Sequence, residues 1–216
     1  GLALSRRLCE MLGGTIAVQA ALPYVDGTLH LPSFGISGGG RGFADPLFGM
    51  LVGWQSPHYL QTIELDVVAP WGSYDKSRLF NPGSNVTSFY LAYAFTWMPL
   101  QQIELSSKIN LSYSSVNSAT RYQSGVQLTA DYGLNYHINQ NWLVGVGGYV
   151  NTQLNDDKIN GQSAFGDGHR TNELTLGPQV GYGTQKWGAV LHWQHQIYAR
   201  NAAYGNTLWL NAYVKF

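Results

Sequence analysis

The stretch Val126-Gln-Leu-Thr-Ala-Asp-Tyr-Gly-Leu-Asn-Tyr-His-Ile138 decides the fold. Read in steps of two, Val126, Leu128, Ala130, Tyr132, Leu134, Tyr136 and Ile138 share one face. Gln127, Thr129, Asp131, Gly133, Asn135 and His137 share the other. Successive side chains of a β-strand point to opposite sides, so this is a strand with one apolar and one polar face. The pattern recurs on both sides of it. Downstream, Trp142, Val144, Val146 and Val150 oppose Gly145, Gly147, Asn151 and Gln153, and Leu174, Leu176, Val180 and Tyr182 oppose Glu173, Thr175 and Gln179. Upstream, Ile103, Leu105, Ile109 and Leu111 oppose Glu104, Ser106, Lys108 and Asn110; Ile63, Leu65 and Val67 oppose Glu64 and Asp66; Phe48, Met50, Val52 and Trp54 oppose Gly49 and Gly53. Pro178 interrupts one run and marks a bulge there.

Composition says which environment the apolar face meets. Charged residues make up 11% of the 216-residue chain, less than half the ~25% of soluble domains. Aromatic residues reach 13%. Yet mean hydropathy is −0.14, and no apolar run approaches the ~18 residues of a membrane-crossing helix. A barrel that turns its apolar face to lipid and its polar face inward reconciles these facts. The formal net charge of zero provides no basic surface for nucleic acid. Cys9 is the single cysteine, so no intrachain disulfide forms. No leader is visible: Arg6 and Arg7 precede no long apolar core, which suggests a mature chain or a fragment.

The connections alternate in length. Short ones fall near 56–57, 99–101, 139–140 and 185–186. Long polar ones fall near 36–45, 70–85, 114–124, 155–170 and 199–205. Short turns at one end and long loops at the other are the outer-membrane pattern. About ten strands are expected (ten to twelve), over 15–35, 46–55, 58–69, 86–98, 102–113, 125–138, 141–154, 171–184, 187–198 and 206–216. Asp26-Gly27 has the composition of a type I′ turn. A strand added there would break the alternation of connections, so a bulge inside one long strand 15–35 is expected instead. Trp54, Trp97, Trp142 and Trp187 each sit on an apolar face within two or three residues of a short turn, which predicts an aromatic girdle at one membrane interface. Leu208, Leu210, Ala212, Val214 and Phe216 share a face. A final strand of this kind resembles those read by the barrel-assembly machinery of bacterial outer membranes.

Several short segments occur in a fixed order: Gly42-Phe-Ala-Asp-Pro46, Ala69-Pro-Trp-Gly-Ser-Tyr-Asp75, Asn81-Pro-Gly-Ser-Asn85, Ala119-Thr-Arg-Tyr-Gln-Ser-Gly125, Gln153-Leu-Asn-Asp-Asp157 and Leu176-Gly-Pro-Gln-Val180. On these the chain, over roughly residues 13–216, resembles the outer-membrane proteins labelled as the meta-pathway of phenol degradation family. The resemblance implies an outer-membrane barrel tied to uptake of aromatic or other hydrophobic compounds. It also implies more chain N-terminal to this point, hence a barrel that lacks its first strands. Residues 1–14 depart from the pattern. They resemble the last ATP-lid helix of a sensor histidine kinase, but fourteen residues cannot build an ATP site, so 1–14 reads as an extraneous or helical segment ahead of a barrel over 15–216.

The polar faces supply the candidate lining of the lumen: Glu64, Asp66, Glu104, Lys108, Asp131, His137, Glu173, His192 and Lys215. Such a lining selects solutes. In a narrow barrel the same groups pair with one another and fill the interior. Its acids outnumber Lys108 and Lys215, which favours a neutral solute over a carboxylate. The expected partners are outer-membrane lipid, the assembly machinery and a hydrophobic small molecule, with no cofactor. His192 and His195 lie three apart and so face opposite ways, unable to share a metal. Asp156-Asp157 reads as a loop turn rather than a calcium site. Ser37-Gly-Gly-Gly-Arg-Gly42 lacks the Gly-Lys-Ser/Thr ending of a phosphate loop. Two alternatives to a channel stand. A lipid-modifying enzyme needs a Ser and a His together on the lipid side, where Ser107 and His195 fall on non-adjacent strands. A soluble lipocalin-like barrel needs a polar exterior.

Overall fold

Alternation of this kind, repeated with turn residues between the runs, folds each run against the next. The computed structural model describes residues 14–214. In chain order its strands are β1 (Thr15–Ala21), β2 (Tyr24–Leu31), β3 (Ile36–Phe43), β4 (Leu47–Ser56), β5 (Tyr59–Val68), β6 (Ser88–Leu100), β7 (Ile103–Ser114), β8 (Tyr122–Gln123), β9 (Gln127–His137), β10 (Trp142–Gln153), β11 (Lys158–Ile159), β12 (Gln162–Ser163), β13 (Asn172–Gly183), β14 (Trp187–Arg200) and β15 (Asn206–Val214). Ten of them form one antiparallel meander in the order β1-β4-β5-β6-β7-β9-β10-β13-β14-β15. The described part of β1 pairs with β4 alone, and that of β15 with β14 alone. No described helix is long and apolar enough to cross a membrane.

The register holds the two faces apart along the whole sheet. Leu65 pairs with Leu91, Leu91 with Leu111, Leu111 with Leu128, and Leu134 with Val146. A one-residue slip anywhere would send this apolar set to the other side. The apolar face is also the exposed one: Leu65 is 54% exposed, Leu134 50% and Tyr136 53%. Among the described residues the buried hydrophobic ones are only Ala92 and Ala164, whereas buried polar residues include Asp66, Asn135, Asn151, Gln179 and Gln196. This inverts a soluble domain, and hydrocarbon is the solvent that favours it.

The first predicted strand is corrected. Residues 15–35 are not one bulged strand, and 36–45 is not a free loop. β1 ends at Ala21, and β2 and β3 form a separate two-stranded hairpin outside the main sheet. Asp26 and Gly27 lie inside β2, paired with Arg41 and Gly40. The reversal occurs at Pro32–Phe34 and ends on Gly35 at φ +64°, a left-handed conformation glycine adopts freely. The added hairpin does not disturb the alternation of connections, because it is itself the long connection between β1 and β4. The glycines of β3 serve packing. A Cβ on Gly40 would lie 2.6 Å from the Phe80 carbonyl oxygen, and one on Gly38 2.9 Å from Leu79 Cβ, so loop 69–87 lies on a side-chain-free surface. Two of the other long connections carry small elements too: β8, β11 and β12 form a three-stranded sheet joining loops 115–126 and 154–171.

Pro178 sits where expected, but the irregularity falls on one side of it. β13 keeps its register with β10 through Val146–Pro178, while its ladder to β14 shifts between Leu174 and Thr175. Proline supplies no amide hydrogen to that ladder, and the Trp193 carbonyl closes on Gly177 so tightly that no Cβ could stand there.

Candidate functional site

The polar face is a hydrogen-bonded wall whose long side chains reach over small ones. Glycines on β4 and alanines on β6 open the way. Gln19 on β1 crosses Gly49 to donate to Asp66 at 2.7 Å and also to Glu64. Lys108 on β7 reaches Glu64 on β5 at 2.6 Å, past Ala92 and Ala94 of β6. Nearer the short turns, Glu104 accepts from Asn135 and from Ser106 and meets His137 at 2.9 Å. Asn135 in turn accepts from Gln179 of β13 across Gly145 and Gly147. Nearer the long loops, Glu173 accepts from Asn151, Gln196 and Tyr149. All of these side chains share one parity of the register.

A cavity of about 550 Å³ runs along this wall, lined by residues of β5, β6, β7, β9, β10, β13 and β14. Seven successive strands can line one space only if the sheet curls around it. Glu104, Lys108, Asp131 and His192 line the cavity. Glu64 and His137 join it through Lys108 and Glu104. Asp66 and Glu173 lie on the same face, toward the long loops. Lys215 and Phe216 lie outside the described residues, as does nearly all of segment 1–14. An adjoining space of about 370 Å³ shares Asp131, Tyr132, Gln179 and His192 with the first and adds Tyr149, Gln194, Trp209 and Asn211. Trp209 was legible as the opposite phase to Leu208 and Leu210. Leu60, Leu143 and Val190, three apolar residues on the polar side of the wall, carried no sequence signal.

On the opposite face, Trp54, Trp97, Trp142 and Trp187 all lie near the short turns, paired with Gln61, Tyr59, Tyr182 and Val214. Tyr182 stands between two of them, its ring 4.8 Å from Trp142 and 5.4 Å from Trp187. Tyr132 belongs to this face as well, and its hydroxyl donates to the Thr175 carbonyl at 2.5 Å. Ser107 donates to the Asp131 carbonyl and His195 meets Asn206. Three strands separate β7 from β14, so the two residues form no nucleophile–base pair. No cluster of three or more metal-ligating side chains occurs among the described residues.

Five of the six ordered sequence segments meet in or beside the long loops, which their order alone did not indicate; the sixth, 176–180, lies within β13. Asp45, nearly buried, accepts from the Gly72 amide at 2.8 Å, the Ser84 amide at 2.7 Å and the Ser84 hydroxyl at 2.5 Å. Asp157, also buried, accepts from the Gly125 amide and Gln153, both at 2.8 Å, and from the Tyr122 hydroxyl. Asn117 links the two centres: its side chain donates to the Ser84 carbonyl at 3.0 Å and accepts from Asn85 at 3.1 Å, and its backbone amide donates to the Tyr122 carbonyl at 2.8 Å. Burial and the Asp157 carboxylate hold the Tyr122 phenol well above its ordinary range. The Ser163 hydroxyl and Arg170 hold Asp156 below the usual aspartate range, which makes it a loop anchor.

The fold is similar to the crystal structure of an outer membrane channel from Pseudomonas putida F1, with a TM-score of 0.78 at 16% identity over 92% of this chain and 75% of that one. No curated protein matches the chain. The family model described as "Putative MetA-pathway of phenol degradation" matches residues 7–212. With its inverted ten-stranded wall and a match spanning nearly its whole length, the chain belongs to that outer-membrane β-barrel family.

Proposed function

We propose that the chain is a passive outer-membrane channel for small neutral hydrophobic molecules, aromatic ones included, and that it performs no chemistry. The 550 Å³ cavity inside the wall carries this reading. Leu60, Leu143 and Val190 give it apolar surface among polar groups, a mixture suited to a solute that is mostly apolar. Among the described residues the wall acids Glu64, Asp66, Glu104, Asp131 and Glu173 face one lysine of the wall, Lys108, so the interior disfavours anions. The separation of Ser107 from His195 speaks against a lipid hydrolase. The exposed apolar face meets lipid, with the four tryptophans as a girdle at the short-turn interface. The outward residues Leu208, Leu210, Ala212 and Val214 lead toward Phe216, the end that assembly machinery would read. The test is uptake of labelled phenol and labelled benzoate by cells with and without the intact gene. Deletion should slow phenol entry alone. Unchanged phenol uptake, or a defect in benzoate only, would overturn the reading.

A further inference from the structure

We propose that Asp131, His192 and Trp209 form a binding station inside the barrel for an uncharged single-ring aromatic bearing an O–H or N–H donor. The station rests on the channel reading above. The wall's other acids are satisfied by protein donors: Glu64 by Lys108, Asp66 by Gln19, Glu104 by Asn135, and Glu173 by Asn151 and Gln196. Asp131 is different. Its cross-strand neighbour is Lys108, but that ammonium is drawn away to Glu64. Among the described residues no hydrogen bond or ion pair reaches the Asp131 carboxylate, and none reaches the His192 ring. Both side chains line the two adjoining spaces. Beside them the Trp209 indole is oriented by its N–H bond to Gln194 at 3.2 Å.

The station therefore offers a charged acceptor without a donor next to an aromatic face. A carboxylate that no described protein group meets gains most from a ligand that donates to it, and an indole gains from a flat apolar ring. A hydrocarbon brings the ring without the donor. A carboxylate brings a charge that Asp131 repels. A cation must give up most of its own hydration to enter so small a space. A phenol or an aniline satisfies both elements, and about 370 Å³ holds one such ring with a few waters.

The experiment is calorimetric titration of the protein in detergent micelles with phenol, with anisole, in which a methyl group replaces the donated hydrogen, and with benzylammonium, each against a micelle blank. Wild-type protein should bind phenol about tenfold more tightly than anisole, the order of one charge-assisted hydrogen bond. Asp131→Leu should reduce that preference below about threefold. Asp131→Asn, which keeps the size of the side chain, should reduce it partially and serves if the leucine variant does not fold. Trp209→Leu should weaken phenol and anisole alike and leave their ratio unchanged. Equal wild-type affinity for phenol and anisole, a preference that survives Asp131→Leu, or tighter binding of benzylammonium than of phenol overturns the station. If vesicles containing the protein still admit phenol in those cases, the channel reading stands without it. If phenol neither binds nor enters, both fall.

Discussion

The Lys108 ammonium lies 2.6 Å from a Glu64 carboxylate oxygen although β6 runs between their strands. The reach exists because β6 presents Ala92 and Ala94 to that side of the wall. Lys108→Met removes the ion pair from Glu64, whose side chain is only 12% exposed, and keeps its bond from Gln19. The lysine side chain is 42% exposed, so solvent screens the pair and the expected loss is about 1 kcal/mol. Urea unfolding in lipid vesicles measures it. In planar bilayers the same variant should shift permeability toward cations. An unchanged selectivity would place Lys108 off the solute path.

Depth in the membrane grades the cost of charge on the outer face. Val146 lies near the middle of β10, whereas Val144 is three residues from the short turn at 138–141. Val146→Arg should cost about 2–4 kcal/mol and Val144→Arg distinctly less. Folding titrations into vesicles would reveal the order. Equal costs, or a larger one at Val144, would contradict the orientation of the strand.

Gly49 lies directly beneath the Asp66 carboxylate, which leaves no room for a Cβ. Gly49→Ala must displace Asp66 and the Gln19 bond to it, at an expected ~1–3 kcal/mol. Gly205 has open space around it, so Gly205→Ala should change stability by less than ~0.5 kcal/mol. The pair, compared by thermal unfolding in one detergent, separates packing from backbone effects.

Asp45→Ala removes the acceptor of three donors from loop 69–87. The meander does not depend on that acceptor, so heat-modifiable gel migration should still report a folded barrel. Limited proteolysis should cut within 69–87 several times faster. Loss of the folded band would show instead that the loop centre is needed for the wall itself.

Acid should loosen loop 154–171 through Asp156. Its carboxyl is held below the ordinary value of 3.8, first by the Ser163 hydroxyl and then by Arg170. A depressed folded value means the loop gains stability above the ordinary value and loses it as pH falls through the depressed one. Hydrogen exchange of the loop amides, corrected for intrinsic rate, should rise only below about pH 3.8. Asp156→Asn should show the loosened behaviour at neutral pH.

The sequence by itself determined the strands and their two faces. Alternation with period two is local, and a barrel wall obeys it residue by residue. Val126–Ile138 therefore announced both its lipid side and its cavity side, and Trp54, Trp97, Trp142 and Trp187 could be assigned to one end from turn lengths alone. Tertiary structure decided what alternation cannot encode. Residues 15–35 broke into β1 and half of a hairpin because Gly27, Gly38 and Gly40 receive Leu79 and Phe80 from the distant loop 69–87. Asp45 and Asp157 became loop centres because distant amides converge on them. Among the described residues Asp131 is left without a donor because small side chains on the intervening strand let Lys108 reach Glu64. Which inward groups pair and which stay open depends on register across several strands, a relation between segments that no single segment contains.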